Sequence, residues 1–535
     1  MESNYAGKIE RLTKKLVSIR SVCEDEGGET RVAEYIRDHF LKLDYFQKHS
    51  SQVFTFDCGN KRHSTIAYIK GKGSKTIILM GHIDTVGIRD YGRISKLATD
   101  SARLPQALKE NFDLTQDVLK DIVSGNYMFG RGALDMKGGV AAYMVIMEHF
   151  AAHPEELGGN LLFLAECDEE GNSKGIIRAL DILKDIRDKE GFEYVACING
   201  DYSTSTDNKR HVYLGTVGKL LPCFVAIGKE SHVGSPFAAV DPNLLLSFIN
   251  KNMSLNMDLA DEDLGKTSVP PISLKQSDSK DSYTVQTALA GISYYNYMTY
   301  SSSPAKVLNK CLKTARDSFR EALELMNENH KTYCHKNGIS CKKLPYKPLV
   351  YSYEEWNAML SIDPEYVRDM KKYSAKLLKD DPDIDMREYS YRLILKSYEY
   401  YSAKEPVIIV FFGSMFYAGI RTDEKKLVKA VNEAVRQVNE GSRYYISTSY
   451  FYPYISDMSF MSVPYKEADI RKMLNNSPYP IGYPYEKIRE INVPVVNIGT
   501  YGKDGHTYTE RLEKDYSFNE MPQLVYKTIC EFFNN

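Results

Sequence analysis

The sequence predicts an α/β fold with a mixed, mostly parallel sheet flanked by helices. Short apolar segments alternate with helical periodicity through about the first 200 residues, a pattern typical of parallel strands that are buried on both faces. Near residue 210 the pattern changes to alternating apolar and polar positions, which indicates antiparallel strands. A chain of 535 residues is too long for a single core, so a second domain is expected.

The N-terminal part begins with two helices and continues with strands and helices in alternation. Apolar residues at helical spacing predict helices near 9–19 and 32–43. The polar segment 88–126 reads as a loop-like insertion with a helical patch near 105–123. The remaining predictions here are strands near 52–56, 65–70, 76–80, 160–165 and 194–198 and helices near 140–150 and 176–187.

The rest of the chain predicts a second domain and a return to the first. The stretch 335–405, rich in Lys, Tyr and Asp, reads as additional material on the second domain. We expect one domain built from residues 1–211 and 406–535, with an enlarged α+β domain inserted at 212–405. The elements predicted here are strands near 212–215, 220–227, 407–412 and 495–498 and helices near 241–250, 304–326 and 424–439.

Composition excludes several classes of partner. A net charge of -2 gives no electrostatic reason to expect nucleic acid or an acidic membrane surface. The nine cysteines are an odd number without a CxxC pair, which favours scattered reduced thiols over a disulfide framework. The first twenty residues lack an apolar signal core, and no apolar run approaches the roughly 20 residues of a membrane span. A cytoplasmic protein is therefore expected.

Several groups that bind metals follow the predicted strands. His82 comes directly after the strand near 76–80, and Asp84 is close enough in sequence to orient its second ring nitrogen. Asp135 lies among glycines in GALDMKGG, where its two oxygens could bridge two cations and the glycines permit tight turns. Each pattern has a plain alternative: an ordinary turn for the first, and a helix N-cap for the second.

Two further segments add carboxylates and a second histidine. Glu169 and Glu170 follow a third acid after a buried strand, an arrangement that is costly unless a cation or solvent compensates the charge. One glutamate can bind a metal while its neighbour faces the attacking water, although a solvated acidic turn is the alternative. Asp201 is one more acid at a strand end, and His506 lies in a Gly-rich loop after the strand near 495–498.

Taken together, these residues predict a two-metal hydrolase. Nitrogen and oxygen ligands suit zinc, with cobalt or manganese as alternatives, and two such ions can activate water and polarise a carbonyl. The conjunction of motifs in this order is more specific than any one of them. The predicted ligands are His82, Asp135, Glu170, Asp201 and His506.

With these motifs, the chain resembles the M20-type metallopeptidase and amidohydrolase family, most closely its arginine-utilisation Roc-type branch. The resemblance implies a zinc-exopeptidase-like catalytic domain with an inserted lid domain that forms dimers in some relatives. It rests on the segments ILMGHIDTVG, FGRGALDMKGGVAA, FLAECDEEGNSKG, INGD, IGKESHVGSPFAAVDP and VNIGTYGKDGHTYTERL.

The resemblance also implies a role for each motif residue. His82 would bind one ion, Asp135 would bridge both, Glu170 and His506 would each bind one, and Asp201 would complete the set. It further implies that Asp84 orients His82, that Glu169 is the general base and acid, that His232 of the lid stabilises the oxyanion, and that the Asp135–Met136 peptide is cis. Arg421 and Tyr454 are candidates for contacting a substrate carboxylate.

The expected function is hydrolysis of an amide bond in a small peptide. The alternatives are an N-acyl amino acid deacylase of arginine or ornithine metabolism, a metal-binding protein without catalysis and, more weakly, a phosphoesterase. The expected partners are therefore a small peptide or N-acyl amino acid and a second copy of the chain bound through the lid, without nucleic acid or membrane.

Overall fold

The computed structural model describes residues 5–205, 207 and 209–534 and shows a mixed α/β protein. None of the helices in these residues is long and apolar enough to cross a membrane. The helices are α1 Tyr5–Ser18, α2 Gly28–Phe40, α3 Asp44–Lys48, α4 Leu104–Asn111, α5 Gln116–Ser124, α6 Gly138–Ala152, α7 Lys174–Glu190, α8 Pro242–Met253, α9 Pro304–Lys336, α10 Tyr353–Leu360, α11 Pro364–Asp380, α12 Met386–Tyr398, α13 Lys425–Asn439, α14 Glu467–Asn475, α15 Tyr485–Ile491 and α16 Met521–Asn534.

The strands belong to two larger sheets and several short ribbons. They are β1 Val53–Asp57, β2 His63–Ile69, β3 Lys75–His82, β4 Tyr127–Phe129, β5 Asn160–Glu166, β6 Glu193–Asn199, β7 Arg210–Tyr213, β8 Gly215–Thr216, β9 Gly218–Leu220, β10 Pro222–Ile227, β11 Glu262–Asp263, β12 Lys266–Thr267, β13 Ile272–Asp278, β14 Ala290–Thr299, β15 Leu349–Ser352, β16 Val407–Phe412, β17 Ile420–Arg421, β18 Ile446–Ser449, β19 Val495–Asn497, β20 Gly502–Lys503 and β21 Arg511–Glu513.

The first of two compact units comprises the chain up to Val217, Ile420–Val463 and the chain from Pro484. Its sheet has the order β1-β2-β5-β3-β6-β19-β7-β18. The four central strands β5, β3, β6 and β19 run parallel, whereas β1 and β2 form an antiparallel edge. The strand β5 is buried along its whole length, as expected of a parallel strand covered on both faces. The mostly parallel sheet that the sequence predicts is confirmed.

The parallel arrangement gathers the ends of neighbouring strands at one edge of the sheet. The strand β3 ends at His82, β5 ends at Glu166, and β6 ends at Asn199. Each is followed by a loop that carries acidic residues. Carboxyl ends of parallel strands are where an open α/β sheet places its ligands, so this edge is the candidate site.

The segment 88–126 forms two short helices, α4 and α5, and packs on a small separate core to which Val22 and Phe129 also contribute. Tyr91 and Leu108 are fully buried in that core. Lys503 and Arg511, which lie on either side of His506, both bind Asp121 of α5. The insertion therefore fixes both ends of the loop that carries His506.

The second unit comprises Gly218–Gly419 and Pro464–Tyr483. Its sheet has the order β13-β14-β10-β16-β15, and β9 pairs with β14. Of the helices in this unit, α8 packs on β14 and on α9. The helices α10 to α12 in the Tyr-rich segment build a core around the fully buried Trp356.

The strand Val407–Phe412 belongs to a different domain from the one that the sequence predicts. The prediction assigned residues 406–535 to the first domain. In the structure this strand pairs with β10 along six residues and with β15, so it belongs to the sheet of the second unit. A run of six apolar residues fits a central strand of any sheet that is covered on both faces. The pattern alone therefore does not specify to which of the two sheets the strand belongs.

Candidate metal centre

The Asp135 carboxylate lies between two imidazole rings. Its Oδ1 is 2.9 Å from Nε2 of His82, and its Oδ2 is 2.8 Å from Nε2 of His506. Burial alone would raise the pKa of Asp135, but hydrogen bonds from His506 and His82 outweigh burial and lower it. The bonds to Asp135 and Glu170 raise the pKa of His506 to about 10. The surroundings therefore favour a positive charge on each side of the Asp135 carboxylate.

Two groups of potential ligands share Asp135. The donor atoms of His82, Asp135 and Asp201 lie within 4.8 Å of one another, as do those of Asp135, Glu170 and His506. Nε2 of His506 is 3.0 Å from Oε1 of Glu170. Burial raises the pKa of Asp201 to about 7, and the charge of Asp135 adds to this effect. Each group contains one imidazole and two carboxylates.

Asp84 contacts His82 and the two adjacent glutamates. Its backbone carbonyl oxygen is 3.2 Å from Nδ1 of His82, and its Oδ1 is 3.6 Å from the same nitrogen. The backbone amides of Glu169 and Glu170 donate to Oδ1 and Oδ2 of Asp84 at 3.2 and 3.0 Å. The side chain of Asp84 is fully buried, where a carboxylate needs such donors. These bonds join the loops after β3 and β5.

Glu169 faces the same group of side chains. Its Oε2 is 4.0 Å from Nε2 of His82, and His82, Glu169 and Glu170 form a third cluster of potential ligands. Burial raises the pKa of Glu169 well above its usual range, against the opposing charge of His82, and Asp457 and Glu170 raise it further. A carboxyl with a raised pKa can take up and release a proton near neutral pH.

A buried ion pair supports the loop that carries Asp135. Oε1 of Glu510 accepts hydrogen bonds from the backbone amides of Gly132, Leu134 and Asp135 at 2.9, 3.2 and 3.4 Å. Its Oε2 accepts from Nη1 of Arg131 at 2.6 Å. Glu510 is fully buried and Arg131 is 1% exposed. The two residues therefore fix the backbone on which Asp135 stands.

Glycine permits a close approach between this loop and the loop that carries Asp201. A Cβ atom on Gly139, at the start of α6, would lie 2.2 Å from the carbonyl oxygen of Gly200. Real Cβ atoms do not come that close to a backbone oxygen, so this position requires glycine. The contact brings Asp201 to the group that contains Asp135.

The chemistry of the donor set fits divalent cations. Imidazole nitrogen and carboxylate oxygen are the donors that zinc and related ions take in proteins. Three carboxylates that are less than a tenth exposed meet two imidazoles here, and positive charge is needed to compensate them. The residues that would hold ions are His82, Asp135, Glu170, Asp201 and His506.

The structure brings these five residues together with Asp84 and Glu169. The peptide between Asp135 and Met136 is cis. His232 belongs to the second unit, where it is exposed and its Nδ1 accepts a hydrogen bond from the amide of Gly234 at 3.1 Å.

The two candidates for contacting a substrate carboxylate lie in different surroundings. Nε of Arg421, which is exposed, donates to Oδ2 of Asp423 at 2.7 Å. Tyr454 is half-buried and stacks on Tyr202, the residue after Asp201, with ring centroids 5.2 Å apart. Of the two, Tyr454 is the one beside a predicted ligand.

Sequence reasoning missed the supporting residues of the site. Arg131 and Glu510 both lie in segments that were recognised, but nothing in either segment indicates that they pair. Asp457 was also missed; it is 1% exposed, and burial raises its pKa to about 8, with Asp84 adding to the effect. The segment around Asp457 has no strand pattern, so only its acidic side chain could have drawn attention to it.

Comparison with known proteins agrees with this geometry. The model of the peptidase family M20/M25/M40 matches residues 78–492. The chain belongs to this family. It is 32% identical to Protein RocB of Bacillus subtilis over 98% of this chain and 95% of that one. It is 29% identical to the uncharacterised protein YqjN of the same organism over 97% and 95%.

Among solved structures, the chain is similar to the YXEP protein of Bacillus subtilis, described as a dinuclear metal binding peptidase from the M20 family. The TM-score is 0.50, the sequence identity is 10%, and each chain is covered completely. At that identity the likeness shows the fold alone. Family membership makes this chain an M20-like metallohydrolase that acts on C–N bonds.

Proposed function

We propose that this chain is a dinuclear metal hydrolase that cleaves the amide bond of a small peptide, as a di- or tripeptidase of carboxypeptidase or aminopeptidase type. The observation that carries the proposal is the Asp135 carboxylate, shared by two groups of ligands. His82 and Asp201 would complete one ion site, and Glu170 and His506 the other. Zinc is the ion that we favour, with cobalt or manganese as alternatives.

The side chains around the ligands supply the remaining chemistry. When bound, the ions would activate water and polarise the scissile carbonyl. Glu169 takes a proton from the attacking water and passes it to the leaving amine. Asp84 holds the backbone of Glu169 and the ring of His82, which fixes both side chains relative to Asp135. The role of His232 at the oxyanion stays a prediction that rests on the family resemblance.

The test pairs metal analysis with a panel of substrates. We expect about two ions per chain in the active protein, as a two-metal site requires, and turnover of at least one dipeptide or tripeptide. The panel includes N-acyl amino acids of matched side chain. Absence of turnover on every small amide with both ions bound would overturn the proposal in favour of a metal-binding protein without catalysis.

A deacylase of arginine or ornithine metabolism is the second candidate. The similarity to Protein RocB over nearly the whole chain favours it, because the Roc-type branch that the chain resembles is associated with arginine utilisation. The proposed chemistry at the metal centre is the same for a deacylase as for a peptidase. Faster hydrolysis of N-acyl arginine or N-acyl ornithine than of any dipeptide in the panel would replace the peptidase proposal with this one.

The substitution Glu510→Gln is expected to weaken metal binding about 10- to 100-fold, the usual cost of losing an outer-sphere partner. A carboxamide places N–H groups against either Arg131 or the amides of the Asp135 loop, so one set of bonds becomes repulsive. Zinc affinity is measured by competition with a chelator of known affinity.

The matched control is Glu513→Gln on β21, the strand that begins directly after Glu510. Glu513 also forms a buried ion pair, with Arg210 at 2.6 Å, but the described hydrogen bonds of its side chain go to Arg210 and Tyr444 and not to the loop of Asp135. We expect this control to lose stability and to keep its zinc affinity. Equal losses of affinity in both variants would contradict a specific role for Glu510.

We also propose that the second unit forms a homodimer through the strand β13. This strand is at the edge of its sheet, and among the described strands it pairs only with β14. Ile272 is 41% exposed and Leu274 is 56% exposed, so the first half of this unpaired edge presents apolar side chains, whereas the second half, from Lys275 to Asp278, is polar. Such an edge readily pairs with a second copy of the same strand.

The substitution Leu274→Lys is expected to shift the protein from dimer to monomer, because it removes an exposed apolar side chain from the proposed interface and places a second charge beside Lys275 on the edge strand. The molecular mass is measured by analytical ultracentrifugation over a range of concentrations. The control Ile362→Lys replaces another apolar residue of the same unit, 84% exposed between α10 and α11. A wild-type protein that is monomeric at every concentration would rule out the dimer.

A further inference from the structure

We propose that His330, Cys334 and Cys341 form a second type of metal site, which binds one zinc-like divalent cation through two thiolates and an imidazole. All three residues belong to the second unit. The site is independent of the carboxylate-rich centre described above and differs from it in donor chemistry. Its ion would tie the end of α9 to the chain that follows.

The spacing of the three ligand atoms suits a tetrahedral ion. All of them lie within 4.8 Å of one another, and Sγ of Cys341 is 3.8 Å from Nδ1 of His330. Zinc binds sulfur at about 2.3 Å and imidazole nitrogen at about 2.0–2.1 Å, so the edges of its tetrahedron measure roughly 3.5–3.8 Å. Small side-chain adjustments therefore suffice to close the site on an ion.

The local sequence accounts for this convergence. His330 and Cys334 are one helical turn apart on α9, so their side chains share one face of the helix. The helix ends at Lys336, and Gly338 adopts a positive φ of 63°. The amide of Ile339 donates to the carbonyl oxygen of Cys334 at 3.0 Å, which turns the chain back. Cys341 returns to the same face in this way.

Two further contacts hold the returning chain and the imidazole in place. The amide of Leu344 donates to Oδ1 of Asn327 at 2.9 Å, which fixes the segment just after Cys341 against α9. The ring of Phe237 lies 4.9 Å from the ring of His330, centroid to centroid. Both contacts restrict the ligands before an ion binds, which lowers the entropic cost of binding.

Metal binding at this site would release thiol protons. Burial and the neighbouring Cys341 thiol raise the pKa of Cys334 above its usual value. Thiolates are the forms that bind metals, so the ion displaces the proton as it binds. Two thiolates neutralise a divalent ion, and three protein ligands leave a fourth position for water or an external donor.

Substitution of cobalt for zinc tests the site with a signal that the other centre cannot give. A cobalt–thiolate bond produces near-ultraviolet charge-transfer absorption, whereas imidazole and carboxylate ligands do not. We expect this absorption on addition of cobalt(II) to the metal-free protein, and we expect it to persist in the variant Asp135→Asn. Its persistence there separates this site from the proposed hydrolase centre.

The variant Cys341→Ser is expected to lose this absorption, to bind one ion fewer per chain and to keep its hydrolase activity. Cys341 is exposed, so the substitution leaves the core intact. The control Cys530→Ser, at a half-buried thiol of α16, should retain the absorption. Cobalt spectra without thiolate absorption, or a Cys334–Cys341 disulfide found by mass spectrometry of the protein isolated without reductant, would overturn the proposal.

Discussion

The substitution Glu169→Gln is expected to lower kcat by about 10²- to 10⁴-fold, the range that general acid–base catalysis contributes. Glutamine preserves the shape of the side chain but cannot accept a proton from water. The raised pKa of Glu169 in its buried position suits the carboxyl to proton transfer at neutral pH. Activity is measured on the best substrate of the amide panel, together with the metal content of the same preparation.

Metal content decides between two roles that the geometry permits for Glu169. It clusters with His82 and Glu170 closely enough to be a ligand. A general base leaves the number of bound ions unchanged when it is replaced, whereas a ligand does not. The neighbouring substitution Glu170→Gln is the matched comparison, and it should release an ion. Full activity of Glu169→Gln with both ions bound would exclude the proposed mechanism.

The positions of the potential ligands could be predicted because they depend on local rules. His82 ends the parallel strand β3 and Asp201 follows the parallel strand β6, and the carboxyl ends of such strands meet at one edge. Asp135 and His506 stand in glycine-containing loops whose motifs are specific when they occur in this order. Strand periodicity thus predicts which edge of the sheet carries the site, and the motifs predict which side chains face that edge.

The interactions that support the site could not be predicted, because they join distant parts of the chain. Arg131 and Glu510 are 379 residues apart, and neither motif specifies a partner for its charge. Asp84 was expected to orient His82, but its carboxylate also binds the amides of Glu169 and Glu170. The sequence does not indicate which backbone amides donate such hydrogen bonds, so these bonds are identified only in the folded chain.

The cluster at the end of α9 illustrates the same limit on a shorter scale. Helical periodicity predicted a helix near 304–326, but α9 continues to Lys336. His330 and Cys334 are on this extension. The composition of the extension is polar, so helical periodicity did not predict it. Cys341 joins them only through the turn at Gly338, so cysteine spacing without that turn indicated isolated thiols.

The substitution Asp135→Asn is expected to remove both ions of the hydrolase centre and to abolish activity. The carboxylate is the one donor common to the two ligand groups, and its oxygens face different imidazoles. An amide supplies a single weak oxygen donor and no charge, so each group is left with one imidazole and one carboxylate. The loss of affinity should exceed the roughly 100-fold cost of losing an outer-sphere partner.

Comparison with single-site variants makes this a test of the dinuclear arrangement. Asp201→Asn removes a donor from one group and Glu170→Gln from the other, so each should release about one ion per chain, as expected for a two-metal site. Bound metal is measured after dialysis against a weak chelator, together with activity. If Asp135→Asn also released a single ion, the two groups would not share this carboxylate. The centre would then hold two independent ions, and the bridging role of Asp135 would be wrong.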